Sequence, residues 1–235
     1  MYVMTIDQRG SSADVDRVPE LISQLRGLTS AAFERSVGDE LQGVLERADD
    51  VVDIALHALR SGHWYVGVGI GAVQLAVAAS PREGTGSGFV AARKAVEHAK
   101  SAAGQVPLSV VSGSIGRGME VPQHAREGAR ACANAEAVLR LIGRLVQERT
   151  DAQWKVVDRL RSVVQAGGGK HGSQKHVAKE LGITEQSVSR AVLRSGWQEE
   201  WAARPAAAML LEYAHSQILT PRTVAGPGTP NEGDR

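Results

Sequence analysis

Apolar positions along the chain change their period several times, and each change marks an element. Tyr2 to Ile6 is an apolar run of strand length. Val15, Val18, Leu21, Ile22 and Leu25 then recur at helical spacing, which predicts a helix over 14–25 with Asp14 as its cap. Phe33 to Ser36 and Leu41 to Leu45 read as short strands joined through Val37-Gly38-Asp39-Glu40, where Gly-Asp supplies the chemistry of a tight turn. Apolar residues between Val51 and Leu59 predict a helix over 49–60. Trp64 to Ile70, with alternating Val and Gly, predicts a strand that resumes over 72–78 after a break at Gly71. The order is βαββαβ, a ferredoxin-like split arrangement in which helices cover one face of a sheet.

Beyond this point helices dominate. Residues 80–88, SPREGTGSG, are a loop by composition, followed by a helix over 89–102 and a strand over 108–111. Residues 125–148 have few breakers and a helical period, so they form one long helix or two short ones. A further helix starts at Asp151, with Trp154, Val157, Leu160, Val163 and Val164 on one face, and ends at Gly167-Gly168-Gly169. The C-terminal stretch TPRTVAGPGTPNEGDR is rich in Pro and Gly and is expected to be disordered. The fold class is therefore α+β: a sheet domain over 1–120, a connecting helix over 121–150, an all-α domain over 151–215 and a tail over 216–235.

Charge adds a polarity to this layout. The formal net charge is only +1, but acidic residues dominate the first fifty positions, whereas 155–194 is weighted to base through Lys155, Arg159, Arg161, Lys170, Lys175, Lys179, Arg190 and Arg194. Such asymmetry suits a half that meets phosphate. No window holds the roughly 18 consecutive apolar residues of a membrane span, and the first ten residues lack the basic patch and apolar run of a signal peptide. No membrane partner and a cytoplasmic, nucleoid-associated location are expected. The single cysteine, Cys132, excludes an internal disulfide and reads as a small buried thiol on a helix. His57, His63, His98 and His124 show no metal-ligand spacing and are expected to be surface or structural.

The densest motif is SQKHVAKELGITEQSVSRAVLR, Ser173 to Arg194. Read as two helices, the first buries Val177, Ala178 and Leu181, Gly182 breaks it with a positive φ, Ile183 fills the corner, and Thr184 caps the second. In the second helix Val188, Ala191 and either Val192 or Leu193 face inward. Gln186, Ser187, Ser189, Arg190 and Arg194 then face outward with hydrogen-bonding groups suited to base edges and phosphates, alongside Gln174, Lys175 and Thr184. The competing structural explanation is an ordinary α-hairpin with a polar surface. The pattern resembles the helix-turn-helix of MarR-like and other winged-helix regulators, with 151–165 as the supporting helix. No β-hairpin wing is visible after Gly196; Trp197, Trp201, Leu210 and Leu211 predict a helix that packs back or dimerises. The resemblance implies double-stranded DNA as partner and a homodimer on a two-fold site.

In the N-terminal half, Asp7 ends the first strand and Asp39 lies at the tip of the hairpin, positions that the βαββαβ order makes neighbours. Two such carboxylates can bind a divalent ion; alternatively Asp7 caps a turn and Asp39 serves the hairpin. The segments TIDQRGS (5–11), VGDELQGVL (37–45), VGVGIG (66–71) and GSGFVAARKAVEHAK (86–100) resemble the class III nucleotide cyclases and, more closely, the SatD-like family of small bacterial proteins. The resemblance implies a metal at Asp7 and Asp39, Mg²⁺ and a nucleotide as cofactor and ligand, and Arg93 on phosphate. It also shows a departure, because Phe89 stands where the cyclase pattern VNxAAR has its asparagine. The glycines of 80–88, with Arg82, Gly86 and Gly88, form a candidate anion site before a helix N-terminus, whereas Gly67, Gly69 and Gly71 mark close packing within a strand. The expected function is a sequence-specific transcriptional regulator whose cyclase-like domain senses a small ligand or dimerises. The alternative is an active nucleotide-converting or nucleotide-hydrolysing enzyme with a helical regulatory domain.

Overall fold

The computed structural model describes residues 1–11, 14–75, 80–102, 105–113, 123–165 and 173–219. Five strands, β1 (Tyr2–Gln8), β2 (Phe33–Arg35), β3 (Glu40–Leu45), β4 (Trp64–Ile70) and β5 (Leu108–Ser112), form one sheet in the order β2-β3-β1-β4-β5. β1 pairs antiparallel with both β3 and β4, β2 pairs antiparallel with β3, and β5 is parallel to β4. The helices of the first half are α1 (Val18–Leu25), α2 (Ala48–Arg60) and α3 (Ser87–Ser101). Five more follow: α4 (Gln123–Gln147), α5 (Asp151–Gln165), α6 (Ser173–Leu181), α7 (Glu185–Arg194) and α8 (Trp197–Leu219). The class is mixed α and β.

Strand alternation assigns the two faces. On one, Met4, Ile6, Leu41, Leu45, Val66, Val68, Ile70, Leu108 and Val110 meet α1 and α2 in a single apolar core. On the other, Gly67 and Gly69 lie directly beneath the backbone of α3: a Cβ on Gly67 would stand 2.4 Å from Val96 N, and one on Gly69 would stand 2.2 Å from Gly88 O. Helices thus cover both faces, not one as the sequence order suggested. The glycine face of β4 makes the second layer possible, since it lets a helix rest on the strand without side chains between them.

The exposed edge of β5 is closed by side chains of α4. Glu136 accepts from Val110 N and Ser109 Oγ, each at 2.8 Å, and Arg140 Nε donates to Leu108 O at 2.8 Å. An edge strand with its backbone groups so engaged offers little to another chain. The long helical run 125–148 resolves as the one helix α4, whose Cys132, Ala135, Leu139 and Ile142 join the main core.

Two local expectations change. α1 begins at Val18 and not at Asp14, because Pro19 lacks an N–H and fits a first turn. Asp14 instead accepts from Val15 N and Arg17 Nε at 2.8 and 2.9 Å. After Gly71 no strand continues over the described residues 72–75; Gln74 makes only an isolated antiparallel bridge to Thr85, and 76–79 lie outside the described residues.

A second, smaller core joins Val156 and Leu160 of α5 to Val177, Ala178, Val188 and Val192 of α6 and α7. α5 and α8 touch both cores. Trp154 and Val157 of α5, and Ala207, Ala208, Leu211 and Ala214 of α8, sit in the main core. α8 therefore packs back across α4 and α2. It runs through 216–219, where a tail was expected, and 220–235 lie outside the described residues.

Candidate functional site

The α6–α7 pair is built as its sequence suggests. Gly182 takes φ +65°, and a Cβ added there would meet nothing within 4 Å, so its role is conformational and not a matter of space. Thr184 adopts extended backbone and its side chain accepts from Ser187 N at 3.1 Å, capping α7. Val188 and Val192 are buried, while Leu193 is 75% exposed, which decides the inward choice in favour of Val192. Gln186, Ser187, Ser189, Arg190 and Arg194 are all exposed on α7; Lys175 is exposed and Gln174 half-buried on α6. Among the described residues Lys175, Gln186, Ser189, Arg190 and Arg194 have neither a side-chain hydrogen bond nor an ion pair. Arg159 of α5 instead pairs with Glu180, fixing the supporting helix to α6.

Under α3 the sheet face is polar. Thr5, Asp7, Glu40 and Gln42 are buried there, and Asp7 is the register partner of Glu40. Asp39 lies one residue before β3, where its carbonyl accepts from Gln8 N at 3.3 Å and its charge acts on Asp7. The two expected aspartates thus come to the same end of the sheet, but a third carboxylate, Glu40, which the sequence did not single out, faces Asp7 more directly. The period-two pattern of Glu40 and Gln42 against Leu41 and Leu45 carried that signal.

α3 supplies the counter-charges. Lys100 Nζ stands 3.0 Å from Asp7 Oδ2 and 3.1 Å from Glu97 Oε1, and Arg93 lies 3.7 Å from Glu40 Oε1. That Glu40 oxygen is buried without a hydrogen bond. Burial raises the pKa of Asp7, opposed by Lys100 and helped by the charges of Asp39 and Glu97. Glu40 is likewise raised by burial, opposed by Arg93 and helped by Asp7.

The Mg²⁺ implied by the cyclase resemblance finds no matching donor set here. Asp7 already has an ammonium as counter-ion, and among the described residues no three His, Cys, Asp or Glu side chains are grouped to hold a metal ion. The described residues do not by themselves offer a resident divalent ion a set of three side-chain ligands.

The anion site expected before α3 is largely engaged by the chain itself. Gly88 N donates to Ala72 O at 3.0 Å, and a Cβ on Gly86 (φ +119°) would stand 2.3 Å from that same oxygen. Arg82 is exposed in a short 3₁₀ turn, with its backbone N–H donating to Ser80 Oγ, and Ser80 in turn bonds Glu34. Arg93 is drawn to Glu40, so the expected residues serve different partners.

Cys132 is 1% exposed and its thiol is pushed up to about 12 by burial, which fits a packing role. His57 bonds Gln24 Oε1 at 2.9 Å, and the side chain of His124 lies outside the described residues. No described helix is long and apolar enough to cross a membrane. No family model, curated protein or solved structure matches this chain.

Proposed function

We propose that the protein is a sequence-specific DNA-binding regulator in which α5, α6 and α7 form a helix-turn-helix and α7 is the recognition helix. The observation that carries this reading is the exposed row Gln186, Ser189, Arg190 and Arg194, which has no side-chain partner within the described chain although α7 is firmly capped and packed. Polar groups held rigidly yet left unpaired are what base-edge readout needs. Lys175 at the start of α6 is suited to the phosphate backbone. In place of a wing, α8 leads back to the sheet half. A homodimer is part of the proposal, since one half-site gives weak affinity, and Trp201, Met209 and Tyr213 along α8 supply exposed apolar surface for it.

The sheet half is proposed as a ferredoxin-like, cyclase-related domain of the SatD-like kind that has kept the fold for sensing and not for cyclisation. Support comes from Phe89 in the place of the asparagine and from Lys100 on Asp7. The buried carboxylates Asp7 and Glu40 favour the alternative of nucleotide turnover only if Lys100 can leave Asp7. Incubation with purine triphosphates and Mg²⁺ or Mn²⁺ decides between them: turnover abolished by Asp7→Ala overturns the regulator reading of this half.

DNA recognition is tested by selecting duplexes from a random pool with the full chain and measuring affinity for the winners. Arg190→Ala is expected to weaken binding by about 1 to 3 kcal/mol and to relax one base position. Lys175→Ala is expected to weaken all sequences evenly and to lower the salt slope by about 1. Selection of no duplex, or unchanged affinity in both variants, overturns the reading.

A further inference from the structure

Between the two cores lies a cavity of about 480 Å³, walled by α2 on one side and by α5 and the start of α8 on the other. The charges in and beside it pair in two groups. Arg60 of α2 holds Asp158 of α5 in a two-point pair, at 2.8 and 2.6 Å. Arg204 of α8 pairs with Asp53 of α2 and with Glu200, which also binds Arg149. Those three carboxylates are thereby occupied by three guanidiniums. A fourth guanidinium, Arg161 of α5, is half-buried in the same cavity and has no carboxylate within ion-pairing distance among the described residues. It stands 5.2 Å from the centre of the Trp201 ring, and Arg204 stands 5.0 Å from the same ring.

An unpaired cation beside like charges and partly withdrawn from water is unfavourable until an anion joins it. Burial and the charge of Arg204 press the same way on Arg161, lowering its affinity for its proton, against the weaker pull of the carboxylates Glu200, Asp53 and Asp158. Leu28, Leu56 and Val146 contribute apolar lining beside Trp201. A planar guanidinium with free N–H groups recognises a carboxylate or a phosphate ester in two-point fashion.

We propose that this cavity is a binding site for a small organic anion, whose acidic group is held by Arg161 and whose apolar part lies against Leu28 and the Trp201 ring. The site is separate from the α3 face and from the loop before α3. It lies against α5, the helix whose other face buries Val156 and Leu160 under α6 and α7. The assignment does not depend on the DNA-binding reading.

Titration of the full chain with phenyl phosphate and, separately, with benzoate, followed by tryptophan fluorescence and calorimetry in the absence of DNA, tests it. Saturable binding of at least one probe is expected, and the tighter of the two identifies phosphate or carboxylate as the preferred group. Arg161→Gln is expected to weaken that binding by about tenfold or more, and Arg161→Lys, which keeps the charge but not the fork, by less. Arg194→Gln, on the exposed face of α7, should bind as the wild type does. No saturable binding of either probe up to about 10 mM, or equal binding by the wild type and both Arg161 variants, overturns the proposal. If Arg161→Gln melts abnormally, the comparison with Arg161→Lys carries the decision. DNA selection by the same preparation is a separate measurement, so failure of one reading is distinguishable from failure of the other.

Discussion

Arg149 and Glu200 form an ion pair of 2.8 Å in which the side chains are 0% and 1% exposed, and the Arg149 Nε also donates to Ser195 O at 2.8 Å. Arg149 precedes α5 and Glu200 lies in the first turn of α8, so this pair fixes the angle at which α8 leaves the helical bundle. The guanidinium stacks over Trp154 with its centre 4.7 Å from the ring, while its Nη1 has no hydrogen-bond partner. Removing Glu200 alone leaves the Arg149 charge buried and uncompensated, whereas removing both takes that buried charge away and leaves Arg204 paired with Asp53. Glu200→Gln is therefore expected to destabilise the fold by about 3 to 5 kcal/mol, and Arg149→Met with Glu200→Leu to recover a large part of that loss. Urea unfolding followed by circular dichroism measures both; a single variant within about 1 kcal/mol of wild type would contradict the assignment.

The glycine face of β4 gives a sharper steric prediction. A Cβ on Gly69 would lie 2.3 Å from Ala92 N as well as 2.2 Å from Gly88 O, and both are backbone atoms that cannot rotate away. Gly69→Ala must push α3 off the sheet and is expected to cost about 3 kcal/mol. Gly182→Ala, at a positive φ but in open space, should cost nearer ~1 kcal/mol. Thermal melting of the two variants side by side checks the order.

Asp7 and Glu40 set a pH dependence. Both carboxyls have pKa values raised in the fold, by burial first. A carboxyl with a raised folded-state pKa binds its proton more tightly when folded, so the ionised pair weakens the fold at neutral pH and this loss fades as the pH falls through the raised values. The stability of wild type relative to the double variant Asp7→Asn with Glu40→Gln should thus increase between about pH 8 and the unfolded-state range near pH 4. Lys100, held above its ordinary value by Asp7 and Glu97 against the effect of burial, does not titrate in this window. A flat or falling difference across it would show that the pair is not strained by burial.

Cys132 serves as a local probe of the core it shares with Ala135 and Leu139. With the thiol buried and its pKa pushed up to about 12, a disulfide exchange reagent at about pH 8 should label it only at the rate at which the main core opens. Addition of urea is expected to release labelling in parallel with the loss of helix signal. Rapid labelling of the native chain would mean that α4 detaches from the sheet without global unfolding.

Much of the fold was legible because its determinants are local. The strand and helix periods from β1 to α7, the turn at Gly38, the break at Gly182 and the Thr184 cap each depend on residues within a few positions of one another. The start of α1 departs from the sequence expectation because the conformational effect of Pro19 outweighs the capping chemistry of Asp14. In the polar face under α3, Asp7 and Asp39 were recognisable as the ends of adjacent strands. Glu40 and Lys100 were not, since nothing in a pattern of periods says which charged residue of a helix will stand over which strand.

The sequence alone determined the order of elements, the glycine stripe of β4 and the outward polar row of α7. Tertiary structure decided the rest. Arg149 and Glu200 are 51 residues apart, Arg60 and Asp158 are 98 apart, and Arg204 and Asp53 are 151 apart. Charge pairs over such separations are selected by which helices share a core, so Arg161 becomes conspicuous only once those guanidiniums have claimed the carboxylates around it. Local sequence sets backbone conformation through short-range sterics and hydrogen bonding, but the partner of a long charged side chain is set by packing.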